Sequence, residues 1–422
     1  MDAILVFTSI ALFFDKCLSL ADIYSFPMQR SSDTIYTLQF GLVCLSSFLF
    51  SASFNMLIPE LPAYLSNMGG AEYKGLIIAL FTLTAGISRP FSGKLTDTIG
   101  RVPVMAVGSL VCFVCGFLYP LLTTVAGFLF LRLIHGFSTG FKPTATAAYV
   151  ADLVPVNRWG EAMGVHGVCF STGLAIGPAI GSTITDHYSI NILFYCSSLF
   201  ALLSIVILAN MKETLPDKQK FKFAHLKISR KDIIEWRVIP SVIIIFLSYV
   251  SYGAILTVIS DWSKHLGTSN KGLFFMVFTL TSLLIRFVAG KASDRYGRPV
   301  ILKISLFLLA ISLFWIAVSD SSVMLMSASA LYGVATGMLS PTATAWTVDL
   351  SNPLHRGKAM ATMYIALEAG IGLGALLAGW LFIDDLAMIP VTFYCCTGIT
   401  LMALVYLQFI YKPKPLIPET IS

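Results

Sequence analysis

Ionisable side chains occur inside long apolar stretches of this sequence, where each needs a partner or an aqueous cavity. One such stretch carries Arg132, His135 and Lys142, the second and third lying three and ten residues after the first. At about 3.6 residues per turn, these side chains share one face of a helix. A charge at mid-membrane costs about 2.5–3.5 kcal/mol on insertion scales, so it usually marks a substrate or proton pathway. The alternative for Lys142 is that its long side chain only reaches the membrane surface.

A single acid, Glu368, lies near the middle of another apolar stretch, "ATMYIALEAGIGLGALLAG". It could carry a proton, balance a cationic substrate, or form a structural ion pair with Arg132 or Lys142. His135 and His166 could relay protons because histidine changes charge near neutral pH, or they could be packed hydrogen-bonding residues. Other candidates to line a cavity are Asn55, Tyr252 and Tyr364.

The composition identifies an integral membrane protein. Of 422 residues, 56% are hydrophobic and 12% are charged, whereas an average soluble domain is about 25% charged. The mean hydropathy is +0.81. A soluble core could not bury that much apolar surface.

Twelve apolar segments are long enough to cross a membrane, which takes about 20 residues each. They cover residues 37–58, 75–92, 102–121, 124–146, 161–184, 190–210, 238–260, 271–290, 299–318, 323–346, 358–381 and 388–411. The sequence therefore predicts an all-α membrane protein with two six-helix bundles, 37–210 and 238–411, joined by a basic linker, 211–237. Segments 1–36 and 412–422 flank the bundles, and Met28 is the predicted true start because residues 1–27 fit no span.

Basic residues fall mainly on one side of the predicted spans. With the N-terminus inside, the inner loops and tail after span one hold nineteen Lys and Arg residues, eight of them in the linker 211–237. The opposite loops hold three, at Lys74, Lys264 and Lys271. The positive-inside rule therefore places both termini in the cytoplasm. The net charge of +6 reflects this asymmetry and gives no reason to expect a nucleic-acid partner, although the linker could also touch anionic lipid.

A charged string after the second span recurs in the second half of the chain. "GKLTDTIGR" at 93–101 matches "GKASDRYGR" at 290–298, an offset of 197 residues. Further matches at this offset, or one residue more, are Arg89 with Arg286, Asp152 with Asp349, and Arg158 with Arg356. Two parallel six-span halves related by an axis along the membrane normal are one layout of secondary transporters.

These strings resemble the loop signature of the Major Facilitator Superfamily, G-x-x-x-D-x-x-G-R. The matching residues are Gly93, Asp97, Gly100 and Arg101, and then Gly290, Asp294, Gly297 and Arg298. The resemblance implies a tight turn that latches the cytoplasmic side and opens when the transporter faces inward. Solvated loop charges alone would not predict two copies at matching positions. Arg132 with Gly136 also resembles the family's span-four signature, whose arginine is tied to proton coupling.

The fifth span resembles the antiporter signature of this superfamily, G-x-x-x-G-P-x-x-G. The matching residues are Gly173, Gly177, Pro178 and Gly181. Small residues at this spacing let helices pack closely, and in the family a sealed contact with the second half favours exchange. Ordinary small-residue packing is the alternative, since Gly370, Gly374 and Ala378 show the same spacing without the proline.

The leading hypothesis is a monomeric, proton-coupled efflux antiporter for a small organic solute in the cytoplasmic membrane, the inner membrane if the source is bacterial. Cations on span four fit an anionic or zwitterionic substrate, whereas Glu368 fits a cationic one. Span one has Asn55 where many drug/proton antiporters carry an acid, which argues against drug export through that acid. The alternatives are a proton-coupled uptake symporter for a sugar, organic acid or amino acid, and a non-transporting sensor. We expect no enzymatic activity, cofactor or metal, because the sequence has no P-loop, metal cluster or nucleophile triad.

Overall fold

The computed structural model describes residues 36–154, 159–216, 218–222, 226, 234–351, 356–382 and 385–410. The predicted start at Met28, Arg158 and the tail 412–422 lie outside this part. The described residues form twelve long helices and no strand. The first six are α1 (Leu38–Asn55), α2 (Lys74–Thr98), α3 (Arg101–Leu118), α4 (Val125–Leu153), α5 (Trp159–His187) and α6 (Ile190–Ala209). The last six are α7 (Ile239–His265), α8 (Leu273–Tyr296), α9 (Arg298–Ala317), α10 (Ser322–Leu350), α11 (Arg356–Phe382) and α12 (Met388–Val405).

Hydroxyl side chains begin several of these helices. The Thr124 hydroxyl accepts a hydrogen bond from the backbone N–H of Gly127 at 3.2 Å, which caps α4. Ser321 caps α10 in the same way through the N–H of Met324 at 3.4 Å. Such capping satisfies a donor that has no partner within the helix. The two caps are 197 residues apart, so the repeat includes the helix starts.

Ten helices of the described part are long and apolar enough to cross a membrane, and α8 is an eleventh if its segments, bent by 46°, count as one span. α4 is not among them, and it is the helix that carries Arg132, His135 and Lys142. All three side chains are buried. These side chains contact protein and not lipid, so α4 can have a lower hydropathy than a spanning helix surrounded by lipid.

The helices pack as two bundles, α1–α6 and α7–α12, with α2 against α11 and α5 against α8 between them. Gly75 and Gly379 bring α2 and α11 together so closely that a Cβ on either would overlap the backbone of the other. The structure thus has the expected all-α fold of two related six-helix bundles. Several helices extend beyond the predicted spans, as α4 does to Leu153, because hydropathy detects the membrane-buried part of a helix and not its end.

Candidate functional site

The first charged string forms the end of α2 and the start of α3, and its ion pairs stay inside the first bundle. The Arg101 guanidinium lies 3.2 Å from the Asp97 carboxylate and 3.0 Å from that of Asp152 on α4. Glu213, in the segment after α6, accepts hydrogen bonds from the backbone N–H groups of Arg101 and Val102, both at 3.0 Å. A carboxylate at the N-terminus of α3 is favourable because the helix dipole is positive there.

The second string repeats this arrangement in the second bundle. Arg298 lies 2.5 Å from Asp294 and 2.9 Å from Asp349 on α10. We call the side of the molecule with both strings the motif side. The described ion pairs on this side join helices of one bundle, and none of them crosses to the other bundle.

The tight turn predicted for each string occupies only the end of the nine-residue signature. Gly93 and Gly290 lie within α2 and α8, and a methyl group on either would meet no atom within 4 Å. The turns fall at Gly100 and Gly297, whose φ angles are 121° and 88°. Positive φ favours glycine, so only the last glycine of each string is required by the backbone.

Two ion pairs join the bundles on the opposite side, which we call the lysine side. The ammonium of Lys74, at the start of α2, lies 3.0 Å from the Asp261 carboxylate on α7. That of Lys271, just before α8, lies 2.6 Å from Glu60, which follows α1. Sequence reasoning missed this pairing, although the two lysines are 197 residues apart and therefore occupy matching places in the repeat.

A third cross-bundle pair lies near the middle of α2 and α11. The Arg89 guanidinium lies 2.7 Å from the Glu368 carboxylate, and both side chains are largely buried. The Tyr364 ring stacks below Arg89, with 4.6 Å between the guanidinium carbon and the ring centroid. The partner of Glu368 is thus neither Arg132 nor Lys142, because α11 packs against α2 and not against α4.

Arg132 and His135 lie in a polar network inside the first bundle. Arg132 donates to the carbonyl of Ile77 at 3.0 Å and to the Tyr119 hydroxyl at 3.4 Å. His135 is hydrogen-bonded to the Tyr119 hydroxyl at 3.0 Å and to Cys112 Sγ at 3.3 Å. Both side chains are therefore packed hydrogen-bonding residues in this conformation.

Lys142 does not reach the membrane surface, which corrects the alternative drawn from its length. Its side chain is 1% exposed, and its ammonium donates to the carbonyl and hydroxyl of Ser46 at 3.0 and 2.8 Å. It also donates to the hydroxyls of Ser109, at 3.0 Å, and Ser204. Serines on α1, α3 and α6 thus hold this cation without a carboxylate in the described residues.

The remaining polar candidates have local partners. His166 is hydrogen-bonded to the Ser47 hydroxyl at 2.9 Å. The Asn55 amide donates to the Ser51 carbonyl of the preceding turn at 2.8 Å. Neither contact brings these residues to Glu368, so the structure separates candidates that the sequence grouped together.

The glycines of the fifth-span signature face α1 of their own bundle. The resemblance implied that they would face the second bundle instead. A Cβ on Gly173 would lie 2.6 Å from the Phe48 carbonyl oxygen, and Gly181 would collide with Met56; Gly177 lies on the same face. The backbone of Pro178 packs on Gly272 of the second bundle, and the Asn270 amide donates to the Ala179 carbonyl and the Thr183 hydroxyl at 3.0 and 3.1 Å. α5 therefore presents its glycine face to α1 and its proline to the other bundle.

A cavity of about 180 Å³ lies between α5 and the second bundle. Tyr252 lines it together with Tyr249, Phe278 and Tyr332. Arg286 on α8 also lines it; the sequence placed this residue in the repeat but not in a site. Tyr364 is not among the lining residues and stacks on Arg89.

These contacts define a two-bundle membrane protein whose halves are held together on the lysine side and at mid-depth. A family model described as Major Facilitator Superfamily matches residues 43–241 and again 241–421. The chain belongs to the Major Facilitator Superfamily of membrane transporters.

Curated relatives match most of the chain. It is 26% identical over 350 residues to an uncharacterized MFS-type transporter of Methanocaldococcus jannaschii, covering 81% of this chain and 90% of that one. It is 27% identical to the multi-drug resistance efflux pump PmrA of Streptococcus pneumoniae, over 70% of this chain and 77% of the pump. It is also 27% identical to multidrug resistance protein 2 of Bacillus subtilis, over 70% and 76% of the two chains. The relationship therefore extends to the efflux branch of the family.

Solved structures share the fold at lower identity. A D-xylose–proton symporter superposes with a TM-score of 0.73 at 16% identity, covering 88% of this chain and 97% of that one. The human organic anion transporter MFSD10 (TETRAN) superposes with a TM-score of 0.68 at 21% identity, over 87% and 98%. At such identities, these likenesses concern the fold alone.

Proposed function

We propose that the protein is a proton-coupled efflux antiporter that exports a small organic solute by alternating access. The similarity to efflux pumps of Streptococcus and Bacillus supports the direction of transport. The observation that carries the coupling is the ion pair between Arg89 and Glu368, because it joins the two bundles through a group that can take up a proton.

Alternating access requires the bundles to separate on one side while they remain closed on the other. In this conformation the pairs Lys74–Asp261 and Lys271–Glu60 hold the lysine side together. On the motif side, the described ion pairs of Arg101 and Arg298 lie within one bundle each. This arrangement fits a state closed on the lysine side, and the opposite state needs both lysine pairs to break.

Protonation of Glu368 would remove the charge that holds Arg89. Separating α2 from α11 on the lysine side would then no longer break an ion pair at mid-depth. Because a proton at this carboxyl group favours one conformation over the other, it shifts their populations. The four other polar candidates, Arg132, His135, Lys142 and His166, would support the first bundle rather than exchange protons with a cavity.

The excess of basic residues supports a cytoplasmic motif side with both termini inside. Under this orientation the present conformation receives solute from the cytoplasm. We further propose that one chain, embedded in membrane lipid, is the working unit, since the repeat supplies both halves of the transport path.

The test is solute flux in proteoliposomes under an imposed pH gradient, with a panel of anionic, zwitterionic, cationic and neutral solutes. We expect the native chain to exchange at least one solute for protons and Glu368→Gln to lose the response to the gradient while it keeps downhill exchange. Glu72→Gln, which removes an exposed carboxylate before α2, is the matched control and should behave as native.

The direction of transport is tested in vesicles of opposite orientation. Accumulation in inside-out vesicles under an acidic interior supports export, whereas co-transport with protons in right-side-out vesicles would instead indicate an uptake symporter. Gradient-driven flux that is unchanged in Glu368→Gln would remove this residue from the mechanism.

A further inference from the structure

The cavity between α5 and the second bundle combines aromatic walls with one cation from the described residues. Tyr249 and Tyr252 meet edge to face with 6.3 Å between ring centroids, and Phe278 and Tyr332 do so at 5.7 Å. Arg286 completes the lining from α8. Aromatic walls suit a flat apolar ligand, and a polar group in such a pocket fixes the orientation of that ligand.

Arg286 has no counter-charge in the described part of the chain. It forms no ion pair or hydrogen bond with another described residue, and its Nε atom is buried without a partner. The residue is half-buried, and a guanidinium partly removed from water without a counter-charge is unfavourable. A ligand with an anionic group would therefore gain more binding free energy at Arg286 than at an arginine that the protein already neutralises.

The repeat shows where the two halves differ in counter-charge. Arg89 corresponds to Arg286 at an offset of 197 residues, and at the same offset Glu368 corresponds to Ser171. Glu368 pairs with Arg89, whereas Ser171 lines the cavity with Arg286. Serine can hydrogen-bond a ligand but cannot neutralise a guanidinium. The two sites thus share a position in the fold and differ in net charge.

We propose that Arg286 binds the carboxylate of a small aromatic solute whose ring lies among Tyr249, Tyr252, Phe278 and Tyr332. The preferred substrates are accordingly aromatic anions, an assignment that rests on the transport function proposed above. Glu368 does not select a cation, because Arg89 already occupies it. The substrate charge is therefore set by the second bundle, and not by the cations on α4.

Equilibrium binding to the purified full-length chain tests this site with 1-naphthoate and benzoate as probes. The matched probe of opposite charge is 1-naphthylmethylammonium. We expect the native chain to bind naphthoate at least about tenfold more tightly than the ammonium compound. Arg286→Gln should weaken naphthoate binding about 10- to 100-fold, since a hydrogen bond to a charged group contributes about 1.5–3 kcal/mol. Arg295→Gln, on the same helix but exposed outside the cavity, should bind as native.

A second variant supplies the missing counter-charge. Ser171→Glu should weaken naphthoate binding to a similar extent as Arg286→Gln, because it recreates the Arg89–Glu368 arrangement. Ser171→Gln, of the same size but uncharged, should keep most of the affinity. Circular dichroism and unfolding midpoints identify any variant that fails to fold, and the comparison of Glu with Gln at position 171 then carries the test.

The outcomes separate this site from the transport proposal. Naphthoate binding that is equal in native and Arg286→Gln chains, a native preference for the ammonium probe, or no native binding of either carboxylate would overturn the site. Arg286-dependent binding without gradient-driven flux of any solute would leave the site standing and refute the antiporter. Proton-driven transport of other solutes that is unchanged in Arg286→Gln would support the antiporter and refute the site.

Discussion

The two bundles have the same architecture but differ in the contacts of the basic side chains inside their helices. In the first bundle, Lys142 is enclosed by serine oxygens and Arg132 is bonded to a carbonyl and stacked on Phe81 at 4.6 Å. In the second bundle, Arg286 faces a cavity without a described partner. A buried cation is structural when the protein satisfies it and becomes a binding group when the protein does not.

The repeat is kept in the ion pairs at both ends of the bundles and differs at mid-depth. Arg101 and Arg298 pair with equivalent aspartates, and Lys74 and Lys271 each reach the opposite bundle. At mid-depth, Glu368 and Ser171 differ. Under the proposed function, this difference would let one site carry the coupling proton and the other bind the solute.

The largest effect is expected where a charge is reversed at the cross-bundle centre. Arg89→Glu places a second carboxylate beside Glu368, and like charges at such a distance cost several kcal/mol. We expect proton-driven flux to fall by about 100-fold or more, which corresponds to about 2.7 kcal/mol. The double variant Arg89→Glu with Glu368→Arg restores opposite charges and should recover part of the flux. Equal flux in the native and single-variant chains would contradict the central role of this pair.

The lysine side is expected to respond next. Lys74→Gln with Lys271→Gln removes both cross-bundle pairs and leaves Glu60 buried at 2% exposure. We expect the closed state to lose about 2 kcal/mol, a roughly 30-fold change in population. Electron–electron distances between spin labels on Asn67→Cys and Val323→Cys, in a background without the native cysteines, should lengthen. Lys264→Gln is the control, and an unchanged distance distribution in the double variant would show that these pairs do not hold the state.

Replacing each buried cation by methionine should separate structural from binding roles. Lys142→Met removes the donor from four hydrogen bonds and should lower the free energy of unfolding by about 1–3 kcal/mol. Arg286→Met removes an unpaired charge and should raise this free energy by about 1 kcal/mol. Unfolding midpoints in detergent measure both variants. Shifts of the same sign would contradict the distinction drawn between the two bundles.

The smallest effect is expected at the aspartates that pair with Arg101 and Arg298. Asp152→Asn and Asp349→Asn each break one partly exposed ion pair, and such pairs contribute less than about 1 kcal/mol. The two variants should therefore show small and equal shifts in the unfolding midpoint. A clearly larger shift in one of them would mean that the two motif-side turns are not equivalent.

Hydropathy and the internal repeat determine the membrane class, the two related six-helix bundles and the positions of both charged turns. These features depend on local composition and on helices that repeat in chain order, so they can be predicted from one sequence. The sequence predicted a tight turn over each whole string, whereas the structure places the turns at Gly100 and Gly297 and Gly93 and Gly290 inside helices. A glycine is compatible with either conformation, and only the packing of the last helical turns decides between them.

The tertiary structure alone decided which charges meet. Arg89 and Glu368 are 279 residues apart, and Lys142 bonds Ser46, Ser109 and Ser204 from three other helices. Spacing along a helix predicts that Arg132, His135 and Lys142 share a face, but it does not predict what that face contacts. A side chain's charge state and role depend on distance and on access to water, which fall into place only when the helices pack. The sequence therefore determines the transporter architecture, and the packing determines that Arg286 is the cation left open to a ligand.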